Sequence, residues 1–105
     1  MPGEVPAAPR RPLVAGNWKM NLTHREGARL AAEAVAALPP GPVDVVLCPP
    51  FTALQAVGEA LAAGDPDGRV GLGAQNLHWQ ERGAFTGEVS AGMLAALGCR
   101  WVIVG

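Results

Sequence analysis

The chain has little charge of either sign and few aromatic side chains. Of its 105 residues, 16% are charged and 5% are Phe or Trp, none is Tyr, and the formal net charge is −1. The basic residues are scattered, whereas nucleic-acid binders carry a basic stripe and anionic lipid attracts clustered Lys and Arg. We therefore expect neither nucleic acid nor a membrane surface among the partners of this protein.

Long hydrophobic runs are missing as well, although 50% of the residues are hydrophobic. No apolar stretch approaches the ~18 residues that a membrane span needs, and the hydrophobic fraction is ordinary for a folded chain. Residues 1–10 are rich in Pro and Ala and have no apolar segment of the kind found in signal peptides. We expect them to form a disordered leader, followed by one domain over residues 11–105.

Cysteine is scarce too, since Cys48 and Cys99 are the only two. Each falls in or beside a predicted buried strand, and neither has the spacing of a metal ligand. Two reduced core thiols in a cytoplasmic protein are the favoured interpretation, with a disulfide as the alternative. No cluster of His, Cys and Asp has metal-ligand spacing, so we expect no metal. The pair Gly71-x-Gly73 lacks the rest of a dinucleotide fingerprint, so we expect no cofactor.

The apolar pattern alternates between strand and helix with a period of about 30 residues, the size of a βαβ unit. Capping boxes at Thr23–Glu26 and Thr52–Gln55 predict the starts of two helices, and Ser90 is the predicted N-cap of a third, Ala91–Leu97. The pattern indicates a parallel α/β sheet, but periodicity leaves open whether it is a barrel or an open doubly wound sheet. The predicted strands are Leu13–Gly16, Val43–Cys48, Val70–Gln75 and Trp101–Val104.

Two polar residues, Asn17 and Lys19, come at the end of the first predicted strand. Side chains two apart on extended backbone point the same way, so we expect an amide donor and a cation to face one spot. This combination suits an anionic ligand that carries a carbonyl group. A surface Lys and a loop-capping Asn are the alternative, since that is the commoner fate of these residue types. Trp18 between them is expected on the opposite face, where packing is its favoured role.

The stretch Ala15–Asn21, with the sequence AGNWKMN, resembles the opening signature of the triosephosphate isomerase family. Three further segments resemble that family in the same order and at about the same spacing, namely Ala74–Asn76, Gly83–Glu88 and Gly98–Gly105. The resemblance extends from about Arg11 to the last residue. It implies a TIM (β/α)₈ barrel, of which this chain carries roughly the first four strands and three helices, because a whole barrel needs ~250 residues.

The resemblance also implies an activity and the residues that serve it. Family members are triose-phosphate isomerases, which interconvert dihydroxyacetone phosphate and D-glyceraldehyde 3-phosphate in glycolysis and gluconeogenesis by proton transfer through an enediolate, without a cofactor. Lys19 is implied as the catalytic and substrate-binding cation, and Asn17 as a substrate-binding hydrogen-bond donor. The family's catalytic His follows the segment that resembles Trp101–Gly105. Neither that His nor the catalytic Glu has a match here, so we expect residues 1–105 alone to be inactive.

Asn76–Val89 is predicted as a long loop. A loop of this length with an exposed aromatic residue suggests a purpose, and in the family it docks into a second subunit of a homodimer. A self-packed surface loop is the alternative. His78 in the loop and His24 in the first helix match no catalytic residue of the family. The implied dimer-interface residues are Phe85, Thr86 and Gly87 at the loop tip and Gln75 on the strand rim.

A different class of function remains open, namely a non-catalytic fragment whose only competence is subunit association. A generic phosphate-binding module is a third interpretation, which accounts for Lys19 but not for the loop motif. A partial barrel leaves inner-face apolar side chains uncovered, so we expect Val14, Val46, Leu72 and Val102, or their alternating neighbours, to meet water or another chain. The isolated chain is therefore expected to be partly ordered and self-associating.

Overall fold

Strands and helices alternate along the described chain, which is residues 10–105 of the computed structural model. The predicted leader, residues 1–10, lies outside the described residues except for Arg10. The elements are β1 (Leu13–Asn17), α1 (His24–Ala37), β2 (Asp44–Cys48), α2 (Leu54–Gly64), β3 (Val70–Ala74), α3 (Ala91–Ala96) and β4 (Trp101–Val102).

The four strands form one parallel sheet in the order β1-β2-β3-β4, with each strand beside the next along the chain. β1 and β2 pair in register from Leu13 with Asp44 to Asn17 with Cys48. Parallel neighbours joined by helical crossovers are the repeating unit of a (β/α) barrel. The predicted fold class, an α/β half-barrel of four strands and three helices, is confirmed.

The start of α1 follows the predicted capping box. The Thr23 hydroxyl accepts from the Glu26 amide at 3.3 Å, and the Glu26 carboxylate accepts from the Thr23 amide at 2.9 Å. Two amides that the first turn would leave without partners are thus both satisfied. The helix ends at Ala37, with Leu38 as its C-cap, because the prolines that follow cannot continue it.

The capping box predicted at Thr52–Gln55 is wrong. The chain enters α2 through a short 3₁₀ turn, Phe51–Ala53, and neither the turn nor the helix has a side-chain cap. Pro49 and Pro50 keep the backbone extended up to Phe51, so the turn begins before Thr52 and takes that residue inside it. Gln55 instead donates its side-chain amide to the Glu59 carboxylate at 3.4 Å.

The main apolar core lies between the sheet and its helices. The predicted inner stripe of α2 is buried at Leu54, Val57 and Leu61, and it packs in one cluster with residues of β3. Gly27 of α1 is buried, and a Cβ there would lie only 3.1 Å from the Trp18 ring and 3.3 Å from Val57 of α2. The absence of a side chain at this position lets α1 pack closely against Trp18 and α2.

The expectation that Leu72 and Val46 would be uncovered is wrong. Leu72 is 5% exposed because it faces the helices, and Val46 is 2% exposed although it lies on the opposite face. The Trp101 side chain occupies the space over β3 on that face, since its Nε1 would be 2.8 Å from a Cβ at Gly71. Because Gly71 and Gly73 carry no side chains, the indole of Trp101 in β4 can reach across β3 towards β2.

Val14 of the edge strand β1 is uncovered, as expected, and is 58% exposed. At the other edge β4 is shorter than predicted, because its register with β3 ends where Val102 meets Ala74. Ile103 still donates its amide to the Ala74 carbonyl at 2.9 Å. No helix within residues 10–105 is both long enough and apolar enough to cross a bilayer.

Candidate active site at the carboxyl ends of the strands

Asn17 and Lys19 lie at the carboxyl end of β1, but the backbone between them is not extended as predicted. Lys19 has a φ of 56°, in the left-handed region. The Asn17 side-chain oxygen accepts from the Lys19 amide at 3.0 Å. A strand that must turn towards a helix uses such a short Asn contact to reverse direction. The side-chain oxygen of Asn17 therefore accepts a hydrogen bond within the turn, and the residue as a whole is exposed at the rim of the sheet.

Gln75 holds the same turn from β3, which is separated from β1 by β2. Its side-chain amide donates to the Lys19 carbonyl at 2.8 Å and to the Cys48 carbonyl at 2.9 Å. Because Gln75 directly follows β3, a single amide ties together the carboxyl ends of three strands. Gln75 therefore has a structural role at the strand rim, whereas its contact with a second copy of the chain remains a prediction.

Trp18 and Asn21 complete the turn around Lys19. The Trp18 amide donates to the Cys48 carbonyl at 3.1 Å, and its half-buried ring packs against the core as predicted. The side-chain amide of Asn21 donates to the Trp18 carbonyl at 2.7 Å. With its amide and carbonyl both held, Lys19 presents an exposed ammonium group from a rigid backbone.

A shallow cavity of about 200 Å³ opens beside this turn, and its lining is mainly apolar. Lys19 and Gln75 border it together with Phe51. A larger cavity of about 450 Å³ lies at the opposite, amino-terminal ends of β1 and β2. Its two arginines are already used, since Arg11 pairs with Asp44 at 3.0 Å and Arg69 donates to backbone carbonyls. The chemistry-bearing residues therefore favour the smaller cavity.

The two cysteines are free and buried, so the disulfide alternative is wrong. Burial raises the pKa of both thiols, and the neighbouring Cys48 adds to the rise at Cys99. Both groups are therefore unreactive thiols rather than nucleophilic thiolates. Among residues 10–105, no three His, Cys, Asp or Glu side chains are grouped as a metal ion would require.

The loop after β3 carries the predicted interface residues on its surface. Phe85 is 42% exposed, and Thr86 and Gly87 are exposed beside it. Gly87 has a φ of 84°, a left-handed conformation that suits glycine in a tight turn. Trp79, which the sequence analysis did not single out, is 82% exposed in the same loop. An aromatic residue in a polar loop is a signal of such an exposed apolar surface.

Comparison with known proteins adds a family. The family model described as triosephosphate isomerase matches residues 12–105. Proteins named triosephosphate isomerase from Rhodopirellula baltica and Chloroflexus aurantiacus are 55% identical over 97 residues and 52% identical over 99 residues. The one from Alkaliphilus metalliredigens is 47% identical over 96 residues. Each match covers 91% of this chain and 37% of the relative, so the chain spans little more than a third of those proteins. Because the family match begins before β1 and takes in the whole sheet with its polar rim, the chain belongs to the triosephosphate isomerase family.

Proposed function

We propose that this chain supplies the Asn17–Lys19 part of the active site of a cytoplasmic triose-phosphate isomerase. The reaction interconverts dihydroxyacetone phosphate and D-glyceraldehyde 3-phosphate in glycolysis and gluconeogenesis. The observation that carries the proposal is the fixed position of Lys19, which is held in a left-handed conformation by Asn17 and Gln75. A non-glycine residue in that conformation costs on the order of 1–3 kcal/mol, and such strain is concentrated at functional sites.

A held cation is what this chemistry requires. Removing a proton next to a carbonyl group produces an enediolate, whose negative charge develops on oxygen. A preorganised cation stabilises that charge without having to reorganise during the reaction. The Lys19 ammonium group would meet the phosphate side of the substrate and the enediolate, and the Asn17 amide nitrogen would donate to a substrate oxygen.

The chain supplies binding and electrostatic residues of the reaction but no match to the family's catalytic Glu or His. A positioned general base contributes about 10²–10⁴ in rate. We therefore propose that the 105-residue polypeptide by itself does not turn over triose phosphate at a meaningful rate. The activity of its residues is best measured in the context of a whole barrel.

The test uses a chimaera in which residues 12–105 replace the matching segment of the Rhodopirellula baltica relative. We expect the chimaera to be active and Lys19→Ala to lower kcat/KM by about 10²–10³-fold or more, with an unchanged circular dichroism spectrum. The matched control is Arg25→Ala, which removes an exposed cation of α1 and should leave the rate unchanged. Unchanged kinetics in the Lys19 variant would exclude the proposed role.

We further propose that the complete enzyme is a homodimer formed through the 83–88 loop. The exposed Phe85, Thr86 and Gly87 at the tip support this proposal. In a dimer, the tip of one subunit would pack beside the Asn17–Lys19 turn of the other and support its conformation. Loss of the dimer should therefore weaken activity as well.

A second candidate function is association without catalysis. It is favoured by the two sheet edges, where Leu13 and Val14 of β1 and Val104 after β4 are exposed. Unpaired strand edges with apolar side chains invite pairing with another chain. Two results together would support this candidate over the isomerase. The 105-residue chain would bind a second copy of itself, and the chimaera would show no turnover.

A further inference from the structure

His78 occupies a fixed position inside the loop that follows β3. Its backbone amide donates to the Val89 carbonyl at 2.7 Å, and it forms an isolated parallel bridge with Ser90. These contacts join the two ends of the loop immediately before α3. The side chain of His78 is 17% exposed, so its ring points into the loop and not into solvent.

The His78 ring packs against the apolar residue at the loop tip. The ring centroids of His78 and Phe85 are 4.2 Å apart, with 37° between the ring planes. A Cβ at Gly83 would lie 2.7 Å from the Phe85 ring, and Gly83 has a φ of 144°. Phe85 is therefore held between the imidazole and a stretch of bare backbone. Aromatic pairs at this separation contribute beyond the area that they bury.

The two nitrogens of the imidazole have different surroundings. Nδ1 lies 3.5 Å from the Glu88 carboxylate, whereas Nε2 is buried and has no hydrogen-bond partner within the described residues. The other charged side chains that border the same cavity are Glu81 and Arg82. The nearest acceptor to Nδ1 is thus a carboxylate oxygen at 3.5 Å, whereas a proton on Nε2 would have no hydrogen-bond partner within the described residues. The position of the proton on a histidine ring follows from such partners.

We propose that His78 is the positioning residue of the 83–88 loop and that it carries its proton on Nδ1. The ring supports Phe85, and the Nδ1 proton orients the Glu88 carboxylate. These residues flank Thr86 and Gly87, so one side chain sets the shape of the surface offered to a second copy. The effect on association rests on the dimer proposed above, whereas the effect on the loop itself does not.

The experiment compares three substitutions in the chimaera. His78→Ala removes both contacts, His78→Phe keeps the ring, and His78→Asn keeps an amide where Nδ1 stood. We expect amide exchange at residues 83–88 to accelerate most in the Ala variant, with partial rescue by each of the other two. In sedimentation, the dimer dissociation constant should rise about tenfold for Ala and less for Phe and Asn. The matched control is His24→Ala, which removes an exposed histidine of α1.

The outcomes separate this inference from the proposed dimer. Unchanged exchange in His78→Ala would overturn the positioning role, and a ¹⁵N spectrum with the proton on Nε2 would overturn the assigned tautomer. The Phe85→Asp variant of the chimaera tests the proposed interface by itself. If Phe85→Asp stays dimeric, the proposed interface is wrong. If His78→Ala still accelerates amide exchange at residues 83–88 when the chimaera is diluted to monomer, the positioning role stands without the interface.

Discussion

Lys19 shows how much a single residue can depend on its neighbours. It is one of two non-glycine residues with a positive φ in the described chain, and the other, Leu22, lies in the same turn. The side chains of Asn17 and Gln75 bond to the Lys19 amide and carbonyl, respectively. These two hydrogen bonds offset the energetic cost of the left-handed conformation, which a Lys without them would rarely adopt.

Gln75→Ala tests that support directly. The substitution removes the donor to the Lys19 and Cys48 carbonyls, so we expect the chimaera to lose about 1–3 kcal/mol of stability in urea unfolding. The kcat of the chimaera should also fall, because the Lys19 ammonium group loses its fixed backbone. Gln55→Ala is the control, since that amide contacts Glu59 only at the surface. Equal behaviour of the two variants would show that Gln75 does not hold the turn.

Gly73 is a second position where one missing side chain matters. A Cβ there would lie 2.7 Å from the Cys48 sulfur and 2.9 Å from Val46. Gly73→Ala should therefore destabilise the chimaera by about 1–3 kcal/mol through overpacking. Gly92→Ala is the control, because nothing lies within 4 Å of that site in α3 and alanine is the better helix former. Thermal unfolding of both variants measures the difference, and equal transition temperatures would contradict the expectation.

At the scale of elements, α1 and α2 show two ways to begin a helix. α1 begins at a reciprocal cap, in which Thr23 and Glu26 bond to each other's amides. α2 has no side-chain cap and begins instead through a 3₁₀ turn after two prolines. The stability of α1 should therefore respond to changes at its cap, and that of α2 should depend on its buried stripe.

The cap of α1 should also respond to acid. Hydrogen bonds from the backbone and then the side chain of Thr23 lower the pKa of Glu26 below its ordinary value. Folding therefore favours the charged carboxylate, so its stabilising effect is complete above the ordinary glutamate pKa and is lost as the pH falls through the lowered one. Between pH 6 and pH 3 (roughly the range of glutamate titration), the chimaera should lose more stability than its Glu26→Gln variant. Parallel curves of unfolding free energy against pH would exclude this contribution.

At the scale of the whole molecule, the half-barrel covers part of its own inner face. Trp101 lies over Gly71 and leaves Val46 buried, so the sheet exposes less apolar surface than a bare half-barrel would. Its edges are a different matter, because Leu13, Val14 and Val104 remain exposed there. Each apolar side chain left uncovered forgoes roughly 1.5–3 kcal/mol, which is a large share of the stability of a small domain.

The 105-residue chain should therefore associate with itself through its edges. We expect its sedimentation coefficient and its urea midpoint to rise with protein concentration, and a coupled isomerase assay to show no turnover. Lys substitutions at Leu13 and Val14 should reduce association, because charges on an edge strand oppose pairing. A monomeric chain with one sharp, concentration-independent unfolding transition would refute this expectation.

Local signals in the sequence were sufficient for much of the fold. The alternation of strands and helices, the cap at Thr23–Glu26 and the N-cap at Ser90 all depend on neighbours within a few residues, and all are present. The resemblance carried by AGNWKMN and the three later segments led to the correct family. The roles of Asn17, Lys19 and the loop tip stay predictions.

Contacts between distant parts of the chain decided the rest. The left-handed conformation of Lys19 depends on a hydrogen bond from Gln75, which is 56 positions later in the chain. No local sequence pattern predicts that hydrogen bond. The burial of Val46 depends on an indole from β4 crossing the glycines of β3, so alternation along one strand could not predict it. The sequence by itself determined the elements and their order, because local hydrogen bonds and apolar spacing specify them. Only the tertiary structure decided the geometry of the site, because residues from three strand ends must meet before Lys19 has a fixed position.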